Sequence, residues 1–168
     1  MRRVVLARTI SVVVVAFALG IALIGAPAAQ SVGFPFEVTA AKKAGGPYTP
    51  DTQEVSIKKG KTKLLFWKVT EGLGIDQNVN FNDFLDGGSP SAYKIAWFKG
   101  KKPKASHKIT QDINGDGYDF KLKADKSKYI TASLTAKDTD TLCFGGEAYN
   151  EGETYSDSAA FRVNGVCH

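Results

Sequence analysis

Asp112, Asn114, Asp116 and Asp119 bring four side-chain oxygen groups into one short run, Asp112-Ile113-Asn114-Gly115-Asp116-Gly117-Tyr118-Asp119. Oxygen ligands at alternate positions, with a glycine allowing the tight turn, are how a short loop wraps calcium. The twelfth position of such a loop, where a bidentate carboxylate closes the shell, is Lys123, a cation that repels the metal. The opposing reading is plainer: Asn-Gly and Asp-Gly are the commonest residues of tight hairpin turns. Calcium is therefore the one cofactor the sequence suggests, and none is required.

A second concentration of chemistry lies in the stretch Glu147–Asp157, where Tyr149, Glu151, Glu153 and Tyr155 put aromatic rings beside carboxylates. Exposed tyrosines next to hydrogen-bonding groups stack on sugars or grip a protein partner, because the ring supplies area at little entropic cost. The competing reading is a solvated hairpin tip whose tyrosines cover one end of the fold. Lysines also cluster, at Lys58, Lys59, Lys61 and Lys63 and again at Lys99, Lys101, Lys102, Lys104 and Lys108. They suit acidic wall polymers or an anionic surface, or they simply keep strand edges from pairing with neighbours.

Other chemistries find little support. His107 and His168 are the only histidines, too few for a tetrahedral zinc or copper cluster once the two cysteines are paired. No nucleophile elbow, zinc-protease helix or phosphate loop occurs, and Gly88-Ser89-Pro90-Ser91-Ala92 is no nucleophile elbow. A hydrolase built on two surface carboxylates is the only enzyme reading left open, with nothing pointing to it. The expectation is a protein without catalysis.

The elements that must position these groups follow a leader. Arg2, Arg3 and Arg8 precede the apolar run Ile10–Gly25, and Ala26-Pro27-Ala28 offers small residues for cleavage after Ala28. That is the pattern of a secretory signal peptide over 1–28; an uncleaved membrane anchor is the alternative, since the run nears the lower limit of a span. Residues 29–168 are then one exported domain, with no membrane span of its own. Removing the three arginines leaves 19 basic against 17 acidic side chains, which makes no case for nucleic acid. Cys143 and Cys167 are the only cysteines, and an oxidising compartment favours one disulfide between them. Closing that loop of about 25 residues is worth roughly 3 kcal/mol in the chain-entropy model.

Within 29–168 the apolar pattern has a period of two. Tyr93, Ile95 and Trp97 alternate with Lys94 and Ala96, and Leu65, Trp67 and Val69 face one way in Lys63–Thr70. Tyr118, Phe120 and Leu122 alternate with charge; Ile130, Ala132 and Leu134 face inward in Tyr129–Ala136, as do Ala159, Phe161 and Val163 in Ser158–Asn164. Shorter strands are expected at Phe34–Val38 and Val55–Ile57. His107–Ile113 leads into a hairpin turn at Asn114–Gly117. Glu71–Ser91 is poorly patterned, with Val79, Phe81 and Phe84 its strand candidates. Leu64 and Phe66, apolar on the opposite side of their strand, suggest a second apolar patch. About eight to ten short strands between Gly, Pro, Asn and Asp turns, and no segment of helical period, read as an all-β antiparallel β-sandwich. A last hairpin of Thr141–Tyr149 with Ser158–Asn164 brings the ends carrying Cys143 and Cys167 together.

From Val55 onward the order of features resembles the immunoglobulin-like accessory domains of secreted bacterial proteins, of the fibronectin type III or CARDB kind. The carrying segments are Lys59–Thr70 (KGKTKLLFWKVT), Tyr93–Gly100 (YKIAWFKG) and Tyr129–Ala136 (YITASLTA). The strand at Lys63–Thr70 lacks the cysteine of the antibody-type intersheet disulfide, and Thr141, two before Cys143, replaces the tyrosine-corner residue. The Asp112–Asp119 run is similar to the first half of an EF-hand or dockerin loop, though strands rather than helices are expected to flank it. The resemblance implies an immunoglobulin-like sandwich and a habit of binding, spacing or adhesion. The expected function is a secreted, non-catalytic binding or adhesion module, meeting a cell-wall polymer, a glycan or an extracellular protein. A spacer domain of the cell envelope without a small ligand is the alternative.

Overall fold

The computed structural model describes residues 34–152 and 154–166. The expected leader over 1–28, Glu153, Cys167 and His168 lie outside the described residues. Nine strands run through the described chain: β1 Phe36–Ala41, β2 Gln53–Val55, β3 Thr62–Glu71, β4 Gln77–Gly88, β5 Tyr93–Lys99, β6 Tyr118–Leu122, β7 Ser127–Ala136, β8 Leu142–Asn150 and β9 Ser156–Val163. They form a four-stranded sheet in the order β1-β3-β7-β5 and a five-stranded sheet in the order β2-β9-β8-β4-β6. All pairings are antiparallel except β2 with β9.

This is an immunoglobulin-like sandwich by its connections. β1, β3, β7 and β5 take the places of strands A, B, E and D, and β4, β8 and β9 those of C, F and G. The chain departs from that plan at both edges of the second sheet: β2 joins β9 in parallel, and after β5 the chain crosses over, adds β6 beside β4, and returns to β7. No helix among the described residues is long and apolar enough to cross a membrane.

The core forms where the inward faces meet. Leu65, Trp67 and Val69 of β3 and Ile130, Ala132 and Leu134 of β7 are fully or almost fully buried, as their alternation predicts. Trp67 and Trp97 lie against each other with ring centroids 4.9 Å apart. Phe81, Phe144 and Phe161 of the facing sheet meet Trp67 edge-on. Trp67 Nε1 donates to the Ala159 carbonyl oxygen at 2.8 Å, a hydrogen bond from one sheet to the other.

The outward Phe66 is also buried, and the register explains it. Ala41, Phe66, Thr131 and Phe98 stand opposite one another across β1, β3, β7 and β5, on the outer face of that sheet. The connections after β1 and β5 fold over this face. Tyr48 packs on Tyr129, Lys101 lies over the Tyr129 ring, and Thr131 Oγ1 donates to the Gly100 carbonyl. The second apolar patch is therefore covered.

Three elements differ from the sequence reading. The poorly patterned stretch contains β4, the longest described strand, whose outward positions are asparagines, residues with low strand propensity. Phe84 sits on its outer face, out of phase with Val79 and Phe81. Residues 110–113 form one helical turn, α1 (Thr110–Ile113), so Asn114–Gly117 ends a helix and leads into β6 instead of joining a hairpin. The Asp112 carbonyl collects the amides of Gly115 and Gly117, a local closure that leaves no partner strand. Lastly, β1 starts at Phe36 and β2 covers Gln53–Val55, so Ile57 falls beyond its strand, held by Asn164 instead. The tyrosine-corner role, absent from Thr141, falls to Tyr93 of β5. Its hydroxyl donates to the Asp140 carbonyl and accepts from Asn164 Nδ2, fastening the β7–β8 connection.

Gly145 and Gly146 sit mid-strand in β8 because the facing rings leave no room. A Cβ on Gly146 would lie 2.1 Å from Phe81 Cζ, and Phe81 is fully buried against both tryptophans. Gly146→Ala is expected to cost about 2 kcal/mol by overpacking. The check is a lowered urea midpoint with an unchanged slope; an unshifted midpoint would show that the ring has somewhere to go.

Candidate functional site

The outer face of the five-stranded sheet carries the site. Along β4 the side chains of Val79 and Phe81 enter the core, so Asn78, Asn80 and Asn82 all point to the other side. Pairing then fixes their neighbours: Asp119 of β6 and Tyr149 of β8 stand directly opposite Asn80 on its two sides. Lys121 stands opposite Asn78, and Glu147 opposite Asn82. The turn after β8 adds Glu151 and Gly152 at the end of this row. Apart from Glu147, these residues line an open cavity of about 780 Å³.

Hydrogen bonds hold its walls in place. Asn80 Nδ2 donates to the Asp116 carbonyl at 2.8 Å and to Asp119 Oδ1 at 2.9 Å. Asn78 Nδ2 donates to Glu151 Oε2 at 2.8 Å, and the Tyr149 hydroxyl donates to Glu147 Oε2 at 2.5 Å. Gly117, at φ +92°, is required here, since a Cβ would lie 2.3 Å from Asn80 Oδ1. The charge balance is acidic, with Asp116, Asp119 and Glu151 against Lys121. Lys121 is itself drawn aside, its Nζ 3.2 Å from Asp76. Lys123 Nζ, the Ala124 amide and Lys121 hold the Asp76 carboxyl well below the usual carboxylate range.

The structure thus joins two groups of residues that the sequence keeps apart. Asp116 and Asp119 of the first run and Tyr149 and Glu151 of the second line one cavity. Asp112 stays in α1 and Asn114 caps it. Among the described residues no three His, Cys, Asp or Glu side chains converge to hold a metal ion. Tyr155 does not join the cavity: its ring packs between Phe34 and Phe36, at centroid distances of 5.5 and 5.1 Å, and burial raises its pKa. Glu153 lies outside the described residues. The asparagines of β4 escaped the sequence reading, although their strict alternation with Val79 and Phe81 was a usable signal.

The remaining candidates are dispersed. Cys143 is buried on β8 opposite Arg162, and its expected partner Cys167 lies outside the described residues. His107 sits in a short turn, and His168 is outside the described residues. The two lysine clusters do not merge. Lys63 is level with Ile95, whereas Lys99 is level with Trp67, roughly 13 Å further along the strands.

No family model matches the chain, and no curated protein matches it. Among solved structures it is similar to a FixG-related protein from Vibrio parahaemolyticus, at 7% identity and a TM-score of 0.44, over 77% of this chain and 94% of that one. It is also similar to a family 123 glycoside hydrolase from Clostridium perfringens that acts on glycolipid glycans, at 9% identity and a TM-score of 0.48, over 76% of this chain and 26% of that one. A conjugative transposon lipoprotein from Bacteroides eggerthii follows at 13% identity and a TM-score of 0.40, over 79% and 99%. Likenesses this distant carry no argument about function.

Proposed function

We propose that this protein is a secreted, non-catalytic binding or adhesion module, an accessory domain of the fibronectin type III or CARDB kind. Its contact surface is the open cavity on the outer face of β4, β6 and β8. The observation that carries this reading is the row Asp119–Asn80–Tyr149, in which hydrogen-bonding groups and an aromatic ring from three strands share one concave wall. Such a wall is preorganised, so little ordering cost attends binding. The partner is a cell-wall polymer, a glycan or an extracellular protein. A Cys143–Cys167 disulfide belongs to this reading: β8 and β9 pair as far as Leu142 with Val163, so the chain leaves β9 beside the strand that carries Cys143. Mass analysis of the exported protein with and without reductant reads that bond directly.

The test of function is retention of residues 29–168 on the producer's own cell wall and on insoluble polysaccharides, with calcium and with chelator. Saturable retention that Tyr149→Ala weakens by about tenfold, at an unchanged melting temperature, supports the assignment. Loss of retention in chelator would bring calcium into the site. An empty screen in both buffers would overturn the assignment in favour of a spacer domain.

A further inference from the structure

Resting on the binding reading above, we infer that the cavity takes an uncharged or amino-bearing glycan, its chain running along β4. Three features of the wall select this class.

First, the wall offers both donors and acceptors, which is what sugar hydroxyls need, each giving and taking a hydrogen bond. Asn78, Asn80 and Asn82 recur every second residue, a spacing of about 7 Å along the strand. Each is anchored through part of its amide and keeps the rest. Asn80 gives both amide hydrogens to the β6 side, to the Asp116 carbonyl and Asp119 Oδ1, which leaves its Oδ1 as an acceptor. Asn82 accepts the Asp83 amide on Oδ1 and keeps its NH₂ donors. Asn78 spends one donor on Glu151 and keeps its carbonyl oxygen.

Second, Tyr149 flanks the row as an aromatic platform. Its hydroxyl is tied to Glu147, so the ring is held in one orientation against which a sugar's C–H face can rest. Third, the sign of the charge excludes polyanions. Asp119 and Glu151 are bonded by asparagine amides and, among the described residues, are in no ion pair, while Lys121 is paired with Asp76. A phosphate or uronate chain would meet uncompensated carboxylates here, whereas an amino sugar would be attracted. The wall is also too polar for a lipid chain. Its volume of about 780 Å³ suits a short oligosaccharide segment.

The experiment is a titration of residues 29–168 with soluble cello-, xylo- and chito-oligosaccharides, a chitosan oligomer, polygalacturonate and heparin. Calorimetry gives affinity, and asparagine side-chain amide resonances give the location. Expected are binding of a neutral or amino oligosaccharide, shifted amide signals, no polyanion binding, and about tenfold weaker affinity in both Asn82→Ala and Tyr149→Ala. Both variants should keep the wild-type melting temperature, since neither side chain enters the core. Three results would overturn the inference: binding confined to polyanions, oligosaccharide binding undiminished in both variants, or a panel with no binder. If wall retention sensitive to Tyr149→Ala persists beside an empty panel, the glycan falls and the binding module stands. If wall retention is also absent, both fall.

Discussion

Trp67→Ala is expected to cost about 3–5 kcal/mol. The side chain is fully buried and touches Trp97, Phe81, Phe144 and Phe161, rings drawn from both sheets. Neighbours of that size and rigidity collapse poorly into the space, so the cavity persists and its cost adds to the lost transfer energy. The same substitution removes the donor to the Ala159 carbonyl. Against a typical total stability of about 5–15 kcal/mol, such a loss leaves a marginal protein. Trp67→Phe separates the two contributions, since it keeps an aromatic ring but orphans that carbonyl, at about 1–2 kcal/mol. Urea unfolding of both variants is the check. A loss below about 1 kcal/mol for Trp67→Ala would mean that the sheets do not depend on this contact.

Glu71→Gln is expected to cost about 3 kcal/mol at neutral pH and to flatten the acid limb of the stability curve. Glu71 ends β3, is only 7% exposed, and its carboxylate gathers the turn between β3 and β4. It accepts the amides of Leu73, Gly74 and Ile75 at 2.5, 2.9 and 3.3 Å, Gln77 Nε2 at 3.1 Å, and the amide of Asp125 at 3.1 Å. Burial works to raise its pKa, but the amides of Asp125, Leu73, Gly74 and Ile75 outweigh it and hold the value at about 2, below the ordinary 4.5. A depressed folded pKa contributes stability that is complete above the unfolded value and is lost as pH falls through the folded one. The loss therefore runs from about pH 4.5 down to about pH 2. Asp76, also depressed, titrates in the acid range, so the difference between wild type and Glu71→Gln isolates Glu71. Parallel acid limbs for the two proteins would show that the carboxylate does not carry this dependence.

How far these groups were legible varies with how local their cause is. The inward faces of β3, β5, β7 and β9 were readable because burial on one side of a pleated strand imposes period two, and apolar residues obey it. β4 was obscured by its asparagines, which look like loop residues until a neighbouring strand claims their backbone. The turn Asn114–Gly117 was placed correctly but given the wrong partner. Its glycines satisfy the end of a helix through the Asp112 carbonyl as readily as they would a hairpin. Tyr149 and Tyr155 look equivalent in sequence, yet one lines the cavity and the other plugs the sandwich against Phe34 and Phe36. Nothing in the sequence marked Glu71, because four of its five donors are backbone amides that only folded turns align.

The residues by themselves determined an all-β sandwich with Trp67 and Trp97 at its centre, since alternation of large apolar side chains is a local property that survives without knowledge of partners. The sandwich's outward polar residues were another matter. Every outward side chain obeys the same rule, and nothing local distinguishes a solvated face from a binding wall. Only the pairing of β4 with both β6 and β8 set Asp119, Asn80 and Tyr149 side by side, from positions dozens of residues apart, and made one face of one sheet concave and chemically complete.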